Sequence, residues 1–328
     1  MKTIASLIIT LVLSQNLCRA QIHYVQDMTT TQIDALDKAK TVVLLSGGIL
    51  EEHGPYLPAY TDGYLNQRLT QDMAATIARK GWHALIFPMI PLGTGGANEI
   101  GRKYNHSGTY AVRQSTLRAI YMDLASELGE QGFKTILVVH LHGAPNHNLA
   151  IEQACDYFTD MYKGRMVSIN NLPAEPTDAR MMQDLRTEAE RKEDGFTVHG
   201  GMGEHSWLYY VKPDFKNVDY KQARPVTVVD PDGLVTAAKR TDWPGYFGSP
   251  RLASAELGEK YCTMLMALFA RKIAMLLDGK YMPNQVSRSA VMAQHPVFKA
   301  VNEDAKAYEK RIEAKQNAWL QSKGIGAD

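Results

Sequence analysis

Short, wholly apolar runs alternate along this chain with longer stretches in which apolar residues recur every three or four positions. Thr41–Ser46, His83–Pro88, Thr135–Val139 and Met166–Asn170 are the short runs, and they read as strands. Between them, Gly63–Lys80 carries Leu65, Leu69, Met73 and Ile77 on one helical face. Tyr110–Gln131 does the same with Leu117, Ile120, Leu124 and Leu128, and Asn148–Tyr162 is a third helix. Strands that are apolar throughout, rather than on alternate residues, are covered on both faces. The pattern therefore predicts a three-layer α/β/α fold with a mostly parallel sheet. Further on, the sequence predicts a charged helix over Arg180–Glu193 and a glycine-rich turn, His199–Gly203, leading into a short helix, Glu204–Val211. A long helix over Leu252–Leu277 and a charged, peripheral one over Val301–Ser322 complete the set. Residues 21–33 read as a linker and Pro91–Gly108 as a glycine-rich loop. Within Val218–Pro250 the pattern suggests a small hairpin, Pro225–Val229 with Gly233–Ala238.

Composition changes this picture only at the N-terminus. The 328 residues are 45% apolar and 22% charged with a net charge of +1, and no basic stripe marks a nucleic-acid surface. Met1-Lys2 precedes an apolar run from Ile4 to Leu13 and small residues at Cys18 and Ala20, the form of a secretory leader cleaved after Ala20. The run is too short to span a membrane. The reading is a leader over 1–20, one main domain over 21–285 and a peripheral helical extension over 286–328. The mature protein is then periplasmic or secreted, with no membrane insertion. Cys155 and Cys262, both in apolar helical settings, read as buried thiols rather than a disulfide.

The chemistry concentrates at strand ends. Thr41–Ser46 runs into Glu51-Glu52-His53-Gly54-Pro55, with Asp62 shortly after. Residues two apart on extended chain face the same way, so Glu51 and His53 share a side and Glu52 points away. Thr135–Val139 ends in His140-Leu141-His142, and the turn at 199–203 brings His199, Glu204 and His205. Imidazoles mixed with carboxylates suit Zn²⁺, Mn²⁺ or Fe²⁺ and argue against a Ca²⁺ cage. In folds of this class ligands sit beyond the carboxyl ends of the strands, where these motifs lie.

These motifs resemble the creatininase (creatinine amidohydrolase) family. Gly47-Gly-Ile-Leu-Glu-Glu-His-Gly-Pro-Tyr-Leu-Pro58 with Thr61-Asp62 is similar to its Glu-x-His-Gly-Pro-His-Leu-Pro…Thr-Asp signature, with Tyr56 in place of histidine. His106-Ser-Gly-Thr109 stands where the family has Phe-Pro-Gly-Thr. Val138-Val-His-Leu-His-Gly-Ala-Pro-Asn146 resembles Asn-Gly-His-Gly-Gly-Asn, with His142 at the metal histidine and His140 at the asparagine. His199-Gly-Gly-Met-Gly-Glu-His-Ser206 resembles His-Ala-Gly-x-x-Glu-Thr-Ser, with His205 in place of threonine.

The resemblance implies a homo-oligomer, often a hexamer, acting on a small-molecule substrate. It implies two divalent ions, Zn²⁺ and/or Mn²⁺ with Fe²⁺ as a third choice, and hydrolysis of a C–N bond in a cyclic or linear amide by metal-activated water. By position, Glu51 and His142 hold one ion, His53 the second, and Asp62 bridges. Some members carry a glutamate where this chain has Ala144, which leaves Glu204 as the remaining ligand of the second ion. His199 matches the catalytic histidine, a proton shuttle. His140, His205 and Trp207 are candidates for substrate or supporting contacts. Ring opening of a cyclic keto compound, peptide trimming, or a non-catalytic periplasmic binding protein are the alternatives.

Overall fold

In the computed structural model, residues 21–172, 185–217, 219–280 and 288–326 are described. The expected leader over Met1–Ala20 and the first part of the expected Arg180–Glu193 helix lie outside them. The sheet has five strands: β1 (Ile22–Tyr24), β2 (Thr41–Ser46), β3 (His83–Ile86), β4 (Thr135–Val139) and β5 (Arg165–Ser168). Their order is β1-β3-β2-β4-β5, and every pairing is parallel. The helices are α1 (Thr30–Asp34), α2 (Thr61–Arg79), α3 (Gln114–Glu130), α4 (Pro145–Tyr162), α5 (Glu188–Asp194), α6 (Met202–Val211), α7 (Pro231–Lys239), α8 (Ala255–Leu277), α9 (Arg288–Gln294) and α10 (Pro296–Ser322).

Alternation along the strands divides the core into two layers. Val42, Leu44, Leu137 and Val139 face α2 and α8, meeting Leu69, Met73, Ile77, Phe269 and Ile273. Val43, Leu45, Ile136 and Val138 face α3 and α4, meeting Leu117, Tyr121, Ile151 and Phe158. All six residues of β2 are buried, which is why it reads as one apolar run. Each such Val, Leu or Ile contributes about 1.5–3 kcal/mol by leaving water. Cys262 lies in the first layer and Cys155 in the second, so the sheet separates the two thiols and both are free.

The helix after β2 covers one face, whereas the helix after its neighbour β4 covers the other. Connections that depart to opposite faces open a crevice at the carboxyl ends of those two strands. Among the described residues no helix is long and apolar enough to cross a membrane.

Several expectations are corrected. The linker at 21–33 contains edge strand β1 and helix α1. α3 begins at Gln114 rather than Tyr110, and α4 begins at Pro145 rather than Asn148. The proposed hairpin strand Gly233–Ala238 is helical: Asp230 accepts from the Gly233 N–H and Pro231 opens α7. Among the described residues of that region, only an isolated bridge, Val226 with Gly248, is strand-like.

Candidate metal centre

The crevice is built by backbone contact before any ligand is placed. A Cβ on Gly48 would stand 2.5 Å from the Cα of Gly63, so the segment after β2 and the first turn of α2 touch main chain to main chain. The Glu51 N–H donates to Ala59 C=O at 2.8 Å, folding the segment back so that Asp62 returns beside Glu51. From β4, the Leu141 N–H donates to Asn66 Oδ1 at 2.8 Å, and Asn148 Nδ2 donates to His142 C=O at 2.8 Å. The glycine-rich loop supplies the remaining wall.

Six side chains converge there: Glu51, His53, Asp62, His142, His199 and Glu204. They form overlapping triads whose ligand atoms all lie within 4.8 Å of one another: Glu51–Asp62–His142, His53–Asp62–Glu204 and Glu51–His53–His199. His142 Nδ1 is 2.9 Å from Asp62 Oδ2 and 3.2 Å from Glu51 Oε2. His53 Nε2 is 3.5 Å from Asp62 Oδ1 and 3.6 Å from Glu204 Oε2. The two oxygens of Asp62 therefore face different histidines.

Each histidine has one ring nitrogen tied to a backbone carbonyl. His53 Nδ1 is 2.9 Å from Glu51 O, His142 Nε2 3.3 Å from Gly95 O, and His199 Nε2 2.6 Å from Glu52 O. That leaves His53 Nε2, His142 Nδ1 and His199 Nδ1 directed at carboxylates. Histidines that bind metal are held in this way, with the second nitrogen donating to a carbonyl. Two buried atoms, Glu51 Oε2 and His53 Nε2, have no hydrogen-bond partner, a costly state that a cation between them relieves. The donor set, three nitrogens and three carboxylates, fits Zn²⁺ or Mn²⁺.

The electrostatics agree. Burial alone would lower His53, but Asp62, Glu204 and Glu51 around it lift it to about 10. His142 is lifted to about 9, against burial, by Glu51 and Asp62. Burial raises Glu51 to about 8 despite the pull of His142 and His53. Burial would raise Asp62 too, yet the hydrogen bond from His142 and the charges of His142 and His53 beside it hold it well below the carboxylate range. Without metal, protons on His53 and His142 therefore balance the carboxylates. Both histidines bind protons more tightly folded than unfolded, so the stability they add is complete below their ordinary value and is lost as pH rises through about 9 and 10. The thermal midpoint of chelator-treated protein is expected to fall steadily between pH 6.5 and 10. A flat midpoint over that window would mean the folded site does not hold those protons.

The other candidates lie elsewhere. His140 is fully buried behind His142: its Nδ1 is 2.9 Å from His147 Nε2, and its Nε2 is 3.2 Å from Leu92 O. The Thr94 N–H donates to His147 Nδ1 at 3.3 Å, which fixes the tautomers along this chain of bonds. His147, edge-on to the His142 ring at 4.9 Å, was not singled out in the sequence. Its only signal is a histidine in the first turn of the helix that follows His142. His205 is outside the cluster. Its Nδ1 is 3.0 Å from Gly201 O, one turn back, and its ring lies among Tyr56, Tyr209 and Tyr220. Trp207 packs edge-on against Tyr261 between α6 and α8. Glu52 is buried as well: its Oε1 stands 3.8 Å from His199 Nε2 and its Oε2 accepts from the Gly54 N–H.

The family model described as creatininase, creatinine amidohydrolase, matches residues 26–273. Among solved structures, a mutant creatininase is 23% identical with a TM-score of 0.59, and the match covers 78% of this chain and 98% of that one. A form described as creatininase Mn is 21% identical with a TM-score of 0.57, covering 79% and 99%. A mutant creatininase described as Zn–Zn type is 22% identical with a TM-score of 0.56, covering 79% and 98%. At these identities the likeness is one of fold. No curated protein matches the chain in sequence.

Proposed function

The chain belongs to the creatininase family, and from that premise we propose that it is a metal-dependent amidohydrolase cleaving a C–N bond in a small cyclic or linear amide. The observation that carries this is the pair of triads sharing Asp62, with ligand atoms left unsatisfied between them. Glu51, Asp62 and His142 would hold one divalent ion, and His53, Asp62 and Glu204 the other. Zn²⁺ and Mn²⁺ are our choices on the donor set, and two of the solved relatives are described as Mn and Zn–Zn forms. When bound, such a pair supplies Lewis acidity that activates water and polarises a carbonyl.

The chain's own residues do the rest. Asp62, ionised and at the start of α2, is held where the helix dipole favours its charge. Glu51 is steadied by the Ala97 N–H at 2.6 Å and Glu204 by the Gly200 N–H at 2.5 Å. Burial, and then the charge on His53, push His199 well below the ordinary imidazole value, so it stands neutral. With Nε2–H donated to Glu52 C=O, its Nδ1 lone pair faces the cluster, able to take a proton and deliver it to a leaving nitrogen.

Creatinine is not the substrate we favour, because Tyr56, His106, His140 and His205 all depart from the family pattern. We place the enzyme outside the cytoplasm on its leader-like N-terminus, and we take it to be a homo-oligomer on the family resemblance. The test is metal content by plasma mass spectrometry, followed by a panel of cyclic and linear amides. About two ions per chain with turnover of a member of the panel is the expected result. Chains that retain no metal after reconstitution with Zn²⁺ or Mn²⁺ would end this reading. Metal without turnover of any amide would favour a binding protein.

A further inference from the structure

Helix α10 lies beyond the family region, which ends at residue 273. One of its faces is spent on the loop that carries the centre's wall. Tyr308 stacks on Tyr104 with centroids 4.4 Å apart and planes 8° from parallel, and its hydroxyl is 2.5 Å from Asn105 Oδ1. Asp304 pairs with Arg102 at 2.6 Å, Glu313 pairs with Arg113, and Ala305 between them is buried. Glu309 reaches both the loop and α3. Its Oε1 accepts from the Gln114 N–H at 2.8 Å and from the Thr94 hydroxyl at 3.3 Å. Gln114 is the first residue of α3, whose own N-cap, Arg113, offers no side-chain bond. Glu309 thus caps α3 from 195 residues away.

Thr94 is the sensitive end of this contact. The next residue, Gly95, gives its carbonyl to His142 Nε2, and Ala97 gives its N–H to Glu51 Oε1. Thr94's own N–H goes to His147, which lies against the His142 ring. The loop therefore orients the Glu51–His142 half of the centre, whereas Glu204 in the other half is held by the Gly200 N–H. We propose that α10 is a strap that sets the Glu51–His142 half of the metal centre through this loop, with Glu309 as its positioning residue.

The proposal rests on the two-ion reading given above. Its test is calorimetric titration of Mn²⁺ into the metal-free full chain, comparing wild type with Glu309→Ala and Glu309→Gln. Glu309→Ala is expected to weaken one of the two Mn²⁺ sites by about tenfold, the effect of losing a supporting contact, and to leave the other unchanged. Glu309→Gln is expected to bind as wild type, because both donors go to a single oxygen that glutamine keeps. Equal affinities in Glu309→Ala and wild type, equal weakening of both sites, or a glutamine variant as damaged as the alanine one would each overturn the strap. If wild type itself binds no Mn²⁺, the two-ion reading fails. The strap is then decided by deuterium exchange over residues 94–114, which must quicken in Glu309→Ala or the strap fails too. Should Glu309→Ala not fold, Asp304→Ala removes only an exposed pair of the same helix, and it must show the same one-sided weakening in smaller measure.

Discussion

Asp62→Asn should empty both halves of the metal centre in one step. The carboxylate belongs to the triad with Glu51 and His142 and to the triad with His53 and Glu204, and its two oxygens face different histidines. An amide keeps the size but gives up the charge and one acceptor, so neither ion retains its full donor set. Metal content is expected to drop from about two ions per chain to near none, and amide turnover to fall by about 10³-fold, since losing such Lewis acidity removes about 4 kcal/mol of transition-state stabilisation. The same substitution acts on the metal-free protein. Asp62 is the anion between His53 and His142, and without it each imidazole loses one of the carboxylates that lift it, leaving Glu51 beside His142, and Glu204 and Glu51 beside His53. Proton release on metal binding should shrink in step. Circular dichroism against wild type is the check that the fold is intact. A variant that kept one firmly bound ion would show that Asp62 serves a single half, and the bridging role would be lost.

The parts of this architecture that rest on local pattern could be read from the chain. β2 and β4 coincide with the apolar runs at 41–46 and 135–139, because a strand covered on both faces must be apolar at every position. Glu51, His53, Asp62 and His142 were legible for a related reason: Glu51 and His53 lie in the segment after β2, Asp62 opens the helix that follows it, and His142 comes just after β4, at the end where this fold class opens. What escaped depends on contacts that no window of sequence contains. β1 is only Ile22-His-Tyr24, pairs on one side and is half polar, so it carries no run to notice. The start of α7 was hidden by ambiguity, since Asp230-Pro-Asp-Gly233 serves equally as a turn or as a capped helix N-terminus. Glu52, read from alternation as pointing away from Glu51 and His53, is buried with its carboxylate 3.8 Å from His199, which a separate segment brings to it. Glu309 is beyond sequence reading altogether, because its meaning comes from Gln114 and Thr94 on the other side of the fold.

His199→Ala separates the two roles open to that ring. Held by Glu52 C=O at Nε2 and neutral through burial, His199 directs Nδ1 towards Glu51 Oε1 at 3.5 Å. It is also one corner of the Glu51–His53–His199 triad, with its ring centroid 4.2 Å from that of His53. Glu51 and His53 are each already committed to a triad that contains Asp62, so His199 is left to handle protons rather than metal. On that argument the alanine variant keeps about two ions per chain while kcat falls by about 10³-fold with KM nearly unchanged, the signature of losing a general acid–base. Added imidazole should restore part of the rate by entering the space vacated. In wild type, the acid limb of kcat/KM is expected below the ordinary imidazole value, because burial and the positive His53 both hold His199 neutral, and bound cations would act in the same sense. If the variant instead loses one ion and imidazole restores nothing, His199 is a ligand, and the proton must be handled from the other side of its ring, where Glu52 waits with a carboxyl oxygen that has no partner.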